Sequence, residues 1–220
     1  MSLMRFPALL LLASLCAFAA DDRVKVDNEW VRILKVTDKP HNKGPLHKHD
    51  SNRVMIYLDA GDIELTYQDG RKDKQHWKAN QVAWSPGGPL HTSENVGSNP
   101  IRIVEIEIKK PGPAKPATRN PKLDPVALDP KHNVVLFEND QVRVFKTSVE
   151  PGATEKMHEH PAPGRVAVLL TDLDAVITNQ DGSAVTQRGA AGDVMWSGPS
   201  IHAGKNVGSK TFEVILVELK

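Results

Sequence analysis

The chain has one cysteine, Cys16, among 220 residues, and it sits in an apolar N-terminal run. Cleavage after that run leaves no thiol. Disulfides, cysteine nucleophiles and cysteine metal ligands are then excluded, and an oxidising compartment poses no difficulty. Aromatic residues make up only 5% of the chain, which leaves little material for base-stacking platforms. Charge of one sign is lacking too: 28 basic residues stand against 27 acidic ones, with no basic cluster. No nucleic acid and no anionic membrane surface is therefore expected as a partner. Also missing are an amphipathic helical period beyond two turns, a G-x-S-x-G elbow, a phosphate-cradling glycine loop and zinc-finger spacing.

Residues 1–20 have the form of a secretory signal peptide. Arg5 precedes the apolar run of residues 8–15, and Ala17, Ala19 and Ala20 offer a small-residue cleavage site before Asp21-Asp22. The run is too short to span a bilayer. The expectation is a periplasmic or secreted protein with no stable membrane insertion after cleavage. Its rivals are an uncleaved anchor or core helix, and lipidation at Cys16, against which the bulky Leu15 speaks.

What the chain does contain is an internal repeat, a feature that decides the whole fold. His47-Lys48-His49 is followed 42 residues on by His91, and His158-Glu159-His160 is followed 42 residues on by His202. A period of 111 residues relates the two sets, and it also carries Val31-Arg32 onto Val142-Arg143 and Asn95-Val96-Gly97-Ser98 onto Asn206-Val207-Gly208-Ser209. Two domains follow, at residues 21–110 and 131–220, small enough that they are expected to pack on each other. Between them, residues 111–130 form a proline-rich linker whose proline density excludes helix and sheet ladders and favours extended chain.

Each repeat reads as short strands. Arg53 to Leu58 is β-prone; Ile63, Leu65 and Tyr67 alternate with polar residues and end at Gln68-Asp69-Gly70. Arg165 to Leu170 and Leu173 to Ile177 repeat this pattern, and residues 101–108 and 212–219 close the two halves. The fold class is all-β, a sandwich or barrel in each half. Trp84 and Trp196 read as core packing, Asn95 and Asn206 as turn-fixing residues, and His76 and His132 as solvated.

On a strand, residues two apart face the same side, so His47 and His49 project together, as do His158 and His160. His91 and His202 on other strands complete two facial sets of three nitrogens, leaving open positions for water or substrate. Two three-histidine metal sites are thus expected: His47, His49 and His91; His158, His160 and His202.

These residues carry a resemblance to the cupin superfamily, in its two-domain bicupin form. The family's first motif, G-x5-H-x-H-x3,4-E-x6-G, is matched by Gly152, His158, His160 and Arg165, and by His47, His49, Arg53 and Gly61. The second, G-x5-P-x-G-x2-H-x3-N, is matched by Asn80, Pro86, Gly88, His91 and Asn95, and by Gly192, His202 and Asn206. The resemblance implies two tandem jelly-roll barrels with the histidines inside. It departs from the family where Arg53 and Arg165 replace the motif glutamate, and where His41 and Asn80 stand in place of the leading glycines of the two motifs. An arginine cannot ligate a cation. Facing inward about 6 Å from a divalent ion, it would repel that ion by about 5 kcal/mol at an effective dielectric near 20. Either it holds a carboxylate or enolate beside the metal, or it pairs with an acidic wall residue and the metal is lost. A turn separates each arginine from its histidines, so strand parity does not set its direction.

Imidazoles suit iron, manganese, nickel, copper or zinc, and spacing does not choose among these divalent transition metals. The expected function is binding of metal and a small anionic ligand, with Arg53 and Arg165 as ligand-binding residues. Dioxygenation or isomerisation of a small acid or sugar derivative fits the resemblance. The rival is a non-enzymatic module with vestigial sites. Exposed barrel edges are compatible with a homo-oligomer.

Overall fold

The computed structural model describes residues 23–110 and 120–220. The expected signal peptide and residues 111–119 of the expected linker lie outside them. No helix among the described residues is long and apolar enough to cross a membrane.

The first half runs β1 (Val24–Asp27), β2 (Val31–Asp38), β3 (His47–His49), β4 (Arg53–Tyr57), β5 (Gly61–Tyr67), β6 (Lys72–Trp77), β7 (Gln81–Ser85), β8 (Gly88–Asn95) and β9 (Ile101–Ile108). After a one-turn helix, α1 (Pro125–Leu128), the second half runs β10 (Asn133–Glu138), β11 (Val142–Val149), β12 (His158–His160), β13 (Arg165–Leu169), β14 (Leu173–Asn179), β15 (Ala184–Gly189), β16 (Val194–Ser197), β17 (Ser200–Asn206) and β18 (Phe212–Leu219). Each half forms a five-stranded sheet, β1-β2-β9-β4-β7 or β10-β11-β18-β13-β16, and a four-stranded sheet, β3-β8-β5-β6 or β12-β17-β14-β15. All pairings are antiparallel, and the two halves share one strand order.

The five-stranded sheets are covered on both faces. Val31, Ile33, Val54, Ile56, Val104 and Ile106 of the first half form one core with Val142, Val144, Val166, Val168, Ile215 and Val217 of the second. The opposite faces of the same strands line the barrels. This is why β4 and β18 read as near-continuous apolar runs rather than strict alternation. Small barrels with one wet face each would bury too little surface, and packing the halves together corrects that deficit. Trp84 and Trp196 lie against this shared core.

The barrel interiors differ. In the second, Phe145, Val149, Leu169, Leu173, Ala175, Phe212, Val214 and Leu216 form a filled apolar core. In the first, the buried set is only Met55, Tyr57, Ile63, Ile101 and Ile103, beside a cavity of about 370 Å³.

Helix α1 corrects the expectation that the proline-rich stretch excludes helix. Pro125 opens it, where a missing N–H costs nothing, and the Asp124 carboxylate accepts the Val126 N–H at 2.9 Å. Asp124 also pairs with buried Arg143 at 2.9 Å, tying this stretch to β11. A second correction concerns His132. Its side chain is only 11% exposed and bridges Asp129 at 2.7 Å and Glu150 at 2.8 Å. The Asp129 hydrogen bond, ahead of that to Glu150, raises its pKa. His76 is exposed as expected, though it bonds Asp62 at 2.7 Å.

Asn95 and Asn206 do fix turns. Asn95 Oδ1 accepts from Gly97 N–H, and its Nδ2 donates to the carbonyls of Asp38 and Asn99. Asn206 does the same with Gly208, Val149 and Lys210.

Two of the motif departures fall where the backbone is left-handed. Gly152 and Gly192 have φ of +78° and +87°; their counterparts His41 and Asn80 hold +55° and +62° without being glycine. Asparagine tolerates this region through local hydrogen bonds of its short side chain, and histidine adopts it at a greater cost than glycine. His41→Gly should therefore stabilise the protein, by about 0.5–1 kcal/mol once the greater freedom of unfolded glycine is subtracted. Thermal unfolding would show a rise of about 1–4 °C, and a fall would contradict the strain argument.

Candidate metal centres

His47 of β3 pairs directly with His91 of β8, and His158 of β12 with His202 of β17. Because His49 and His160 lie two residues on, all three rings of each half face one interior. Within each trio, one nitrogen per ring falls within 4.8 Å of the others. Ring centroids are 4.7–5.6 Å apart in the first half and 4.8–5.2 Å in the second.

The other ring nitrogens are already engaged. Nδ1 of His47, His91 and His158 donates to the carbonyl two residues back, of Pro45, Pro89 and Lys156, at 2.8–2.9 Å. His160 Nδ1 bonds the fully buried Glu218 at 2.9 Å, and His202 Nδ1 meets Ser200 Oγ at 3.1 Å. His49 Nδ1 lies 3.9 Å from Glu107. With the proton on Nδ1, the lone pair sits on Nε2, the tautomer of a metal ligand. His158 and His160 bring their Nε2 atoms to 3.1 Å. Two lone pairs so close repel unless a cation lies between them, and cis nitrogens about 2.1 Å from one metal are separated by about 3.0 Å. The donor set therefore fits a divalent metal.

Burial favours the neutral form of three of these rings, His91, His158 and His202. It lowers the pKa of His91 and His158 and takes that of His202 down to about 2, with further lowering from His158, His160 and Arg165. A neutral imidazole offers its lone pair without first losing a proton.

Both arginines face inward, a direction that parity across the preceding turn did not supply. Arg53 opens β4 on the same face as Met55 and Tyr57, lines the cavity, and donates to Glu105 at 3.0 Å and Ser85 at 2.9 Å. It thus has the wall ion pair of the second reading while remaining in the chamber. Arg165 instead donates to Ser200 Oγ at 3.1 Å and the Gly198 carbonyl at 3.3 Å, with no salt bridge among the described residues. Burial brings its pKa down to about 10.

No protein-family model matches the chain, and no curated protein matches it in sequence. Solved structures do match it. AerE from Microcystis aeruginosa superimposes with a TM-score of 0.60 at 15% identity, over 86% of this chain and 88% of that one. Oxalate decarboxylase from Bacillus subtilis, a protein with Mn(II) centres, gives a TM-score of 0.60 at 14% identity, over 86% and 69%. The fold is the cupin jelly roll. At these identities the likeness extends to fold, and the sites must be read from this chain's own residues.

Four acidic residues around the two sites escaped the sequence reading. Glu107 and Glu218, behind His49 and His160, recur at the same period of 111 as the histidines, a signal that was available. Asp38 and Glu105 were not: their counterparts are Val149 and Leu216, so the repeat conceals them. Burial, and then Glu105, raise the Asp38 pKa. Tyr57 stacks on Trp77 with centroids 3.9 Å apart, and burial raises its phenol pKa.

Proposed function

We propose that each histidine trio binds a divalent transition metal and that the N-terminal chamber handles a small anionic molecule. The observation carrying this is the convergence of imidazoles whose Nδ1 atoms are engaged elsewhere. A metal so held supplies Lewis acidity or redox capacity, and the Mn(II) centres of the oxalate decarboxylase relative are in keeping with it.

The chamber has space for a ligand of modest size. Each terminal nitrogen of Arg53 keeps a second N–H after bonding Glu105 and Ser85, so the guanidinium can orient a carboxylate or enolate. Tyr57 stays protonated at neutral pH and can donate from the same face of β4, four residues beyond Arg53. The chemistry these groups support is dioxygenation or isomerisation of a small acid or sugar derivative. The C-terminal interior is filled, so its trio takes a ligand of only a few atoms, beside Arg165. We place the mature protein in the periplasm or outside the cell; N-terminal sequencing beginning at Asp21 is the corresponding result.

Elemental analysis of native protein tests the metal. About two equivalents are expected, and less than about 0.1 after reconstitution would favour a module with vestigial histidines. Carboxylates too large for the filled C-terminal interior should raise the melting temperature of metal-loaded protein and leave His91→Ala unmoved.

A further inference from the structure

Just before β12, the chain runs beside β17. Glu155 N–H donates to the Gly204 carbonyl at 2.8 Å, and Thr154 bridges Lys205. Gly204 lies two residues beyond His202 on one strand, so both face the barrel interior. A Cβ at 204 would collide with Glu155 Oε2. The missing side chain is the space the carboxylate occupies.

The repeat gives this pair its meaning. In the first half Gly44 N–H donates to the Ser93 carbonyl at 2.8 Å, and Lys43 bridges Glu94, in the same arrangement. There the glycine is on the loop and the side chain on the strand; in the second half the two have exchanged places. The exchange puts a carboxylate one strand step from the second trio and none at that point of the first. Glu155 makes no side-chain hydrogen bond or ion pair among the described residues, so no internal partner accounts for it. His132 and Asp129 act on it from the segment before β10, and Arg165 acts on it less strongly from β13.

We propose that Glu155 is the proton acceptor of the C-terminal trio, taking a proton from the O–H of the small ligand or water held there beside Arg165. The O–H bond breaks, its electron pair stays on the ligand oxygen, and the carboxylate becomes a carboxyl. Arg165 offsets the negative charge left behind. Burial, the largest influence, pushes the Glu155 pKa up to about 7, where one group can both take and return a proton at neutral pH. The inference rests on the metal reading above.

The test uses full-length His91→Ala protein loaded with Co²⁺, so that only the C-terminal trio reports. Its visible absorption is followed from about pH 5 to pH 9, spanning the range in which a raised carboxyl titrates. Glu155→Gln should move the midpoint by about one pH unit or more, and Glu155→Asp should restore it. Gly204→Ala, which drives the carboxylate aside, should mimic Glu155→Gln. A midpoint unchanged in both would overturn the proposal while leaving the metal reading intact. If the parent variant takes up no Co²⁺, the metal reading falls and the inference falls with it. As a check independent of losses in folding, Gly44→Glu with Ser93→Gly in a His202→Ala background should create the corresponding midpoint in the N-terminal barrel. Its absence would count against the proposal.

Discussion

His91→Ala should leave the protein with about one equivalent of metal, His202→Ala likewise, and the double variant with almost none. Each replacement deletes one nitrogen of three, so no trio can be completed by its neighbours. Loss of an outer hydrogen-bond partner alone costs about 10–100-fold in affinity, so loss of a ligand should exceed 100-fold. Dialysis against a chelator followed by elemental analysis reads the result. The two sites should also differ in rate. His47 and His49 are half-buried beside an open chamber, whereas His158, His160 and His202 are all buried. The site left in His202→Ala should therefore empty sooner than the site left in His91→Ala. If His91→Ala and His202→Ala both retain two equivalents, the coordination proposal is wrong.

Phe145→Ala should destabilise the protein by about 3–5 kcal/mol. Phe145 is fully buried in the filled C-terminal interior, among Val149, Leu169, Phe212 and Leu216. It also lies parallel to the His160 ring, with centroids 6.4 Å apart. Neighbours held in two sheets cannot close in on the void, so both lost burial and a residual cavity contribute. Leu34, its counterpart 111 residues earlier, is only half-buried beside the less filled barrel, and Leu34→Ala should cost clearly less. Urea unfolding of metal-free protein measures both. A Phe145→Ala loss below about 1 kcal/mol would mean that the interior relaxes far more than a close-packed core can.

Much of the fold was legible from residues alone. The strands at 101–108 and 212–219 were bounded as the structure has them because turn-forming or proline-rich segments flank long β-branched runs. The histidine pairs declared their shared face through a spacing of two. Other features were not legible, for local reasons. Pro125 could open a helix only because Asp124 was placed to cap it and Arg143 to hold Asp124. His132 looked solvated because its partners, Asp129 and Glu150, come from different segments. Arg53 and Arg165 follow loops of different length, so their direction had to be seen.

By itself the sequence determined that the chain is a duplication, that each copy is built of short strands, and that three imidazoles recur in register. Periodicity is a property of neighbouring residues and survives without coordinates. Tertiary structure alone decided that the five-stranded sheets bury both faces, that one barrel is hollow and the other filled, and that a glycine at 204 makes space for a carboxylate from 155. Those outcomes depend on which atoms share a volume across many residues of chain, and the alternation along a single strand carries no record of what will lie opposite it.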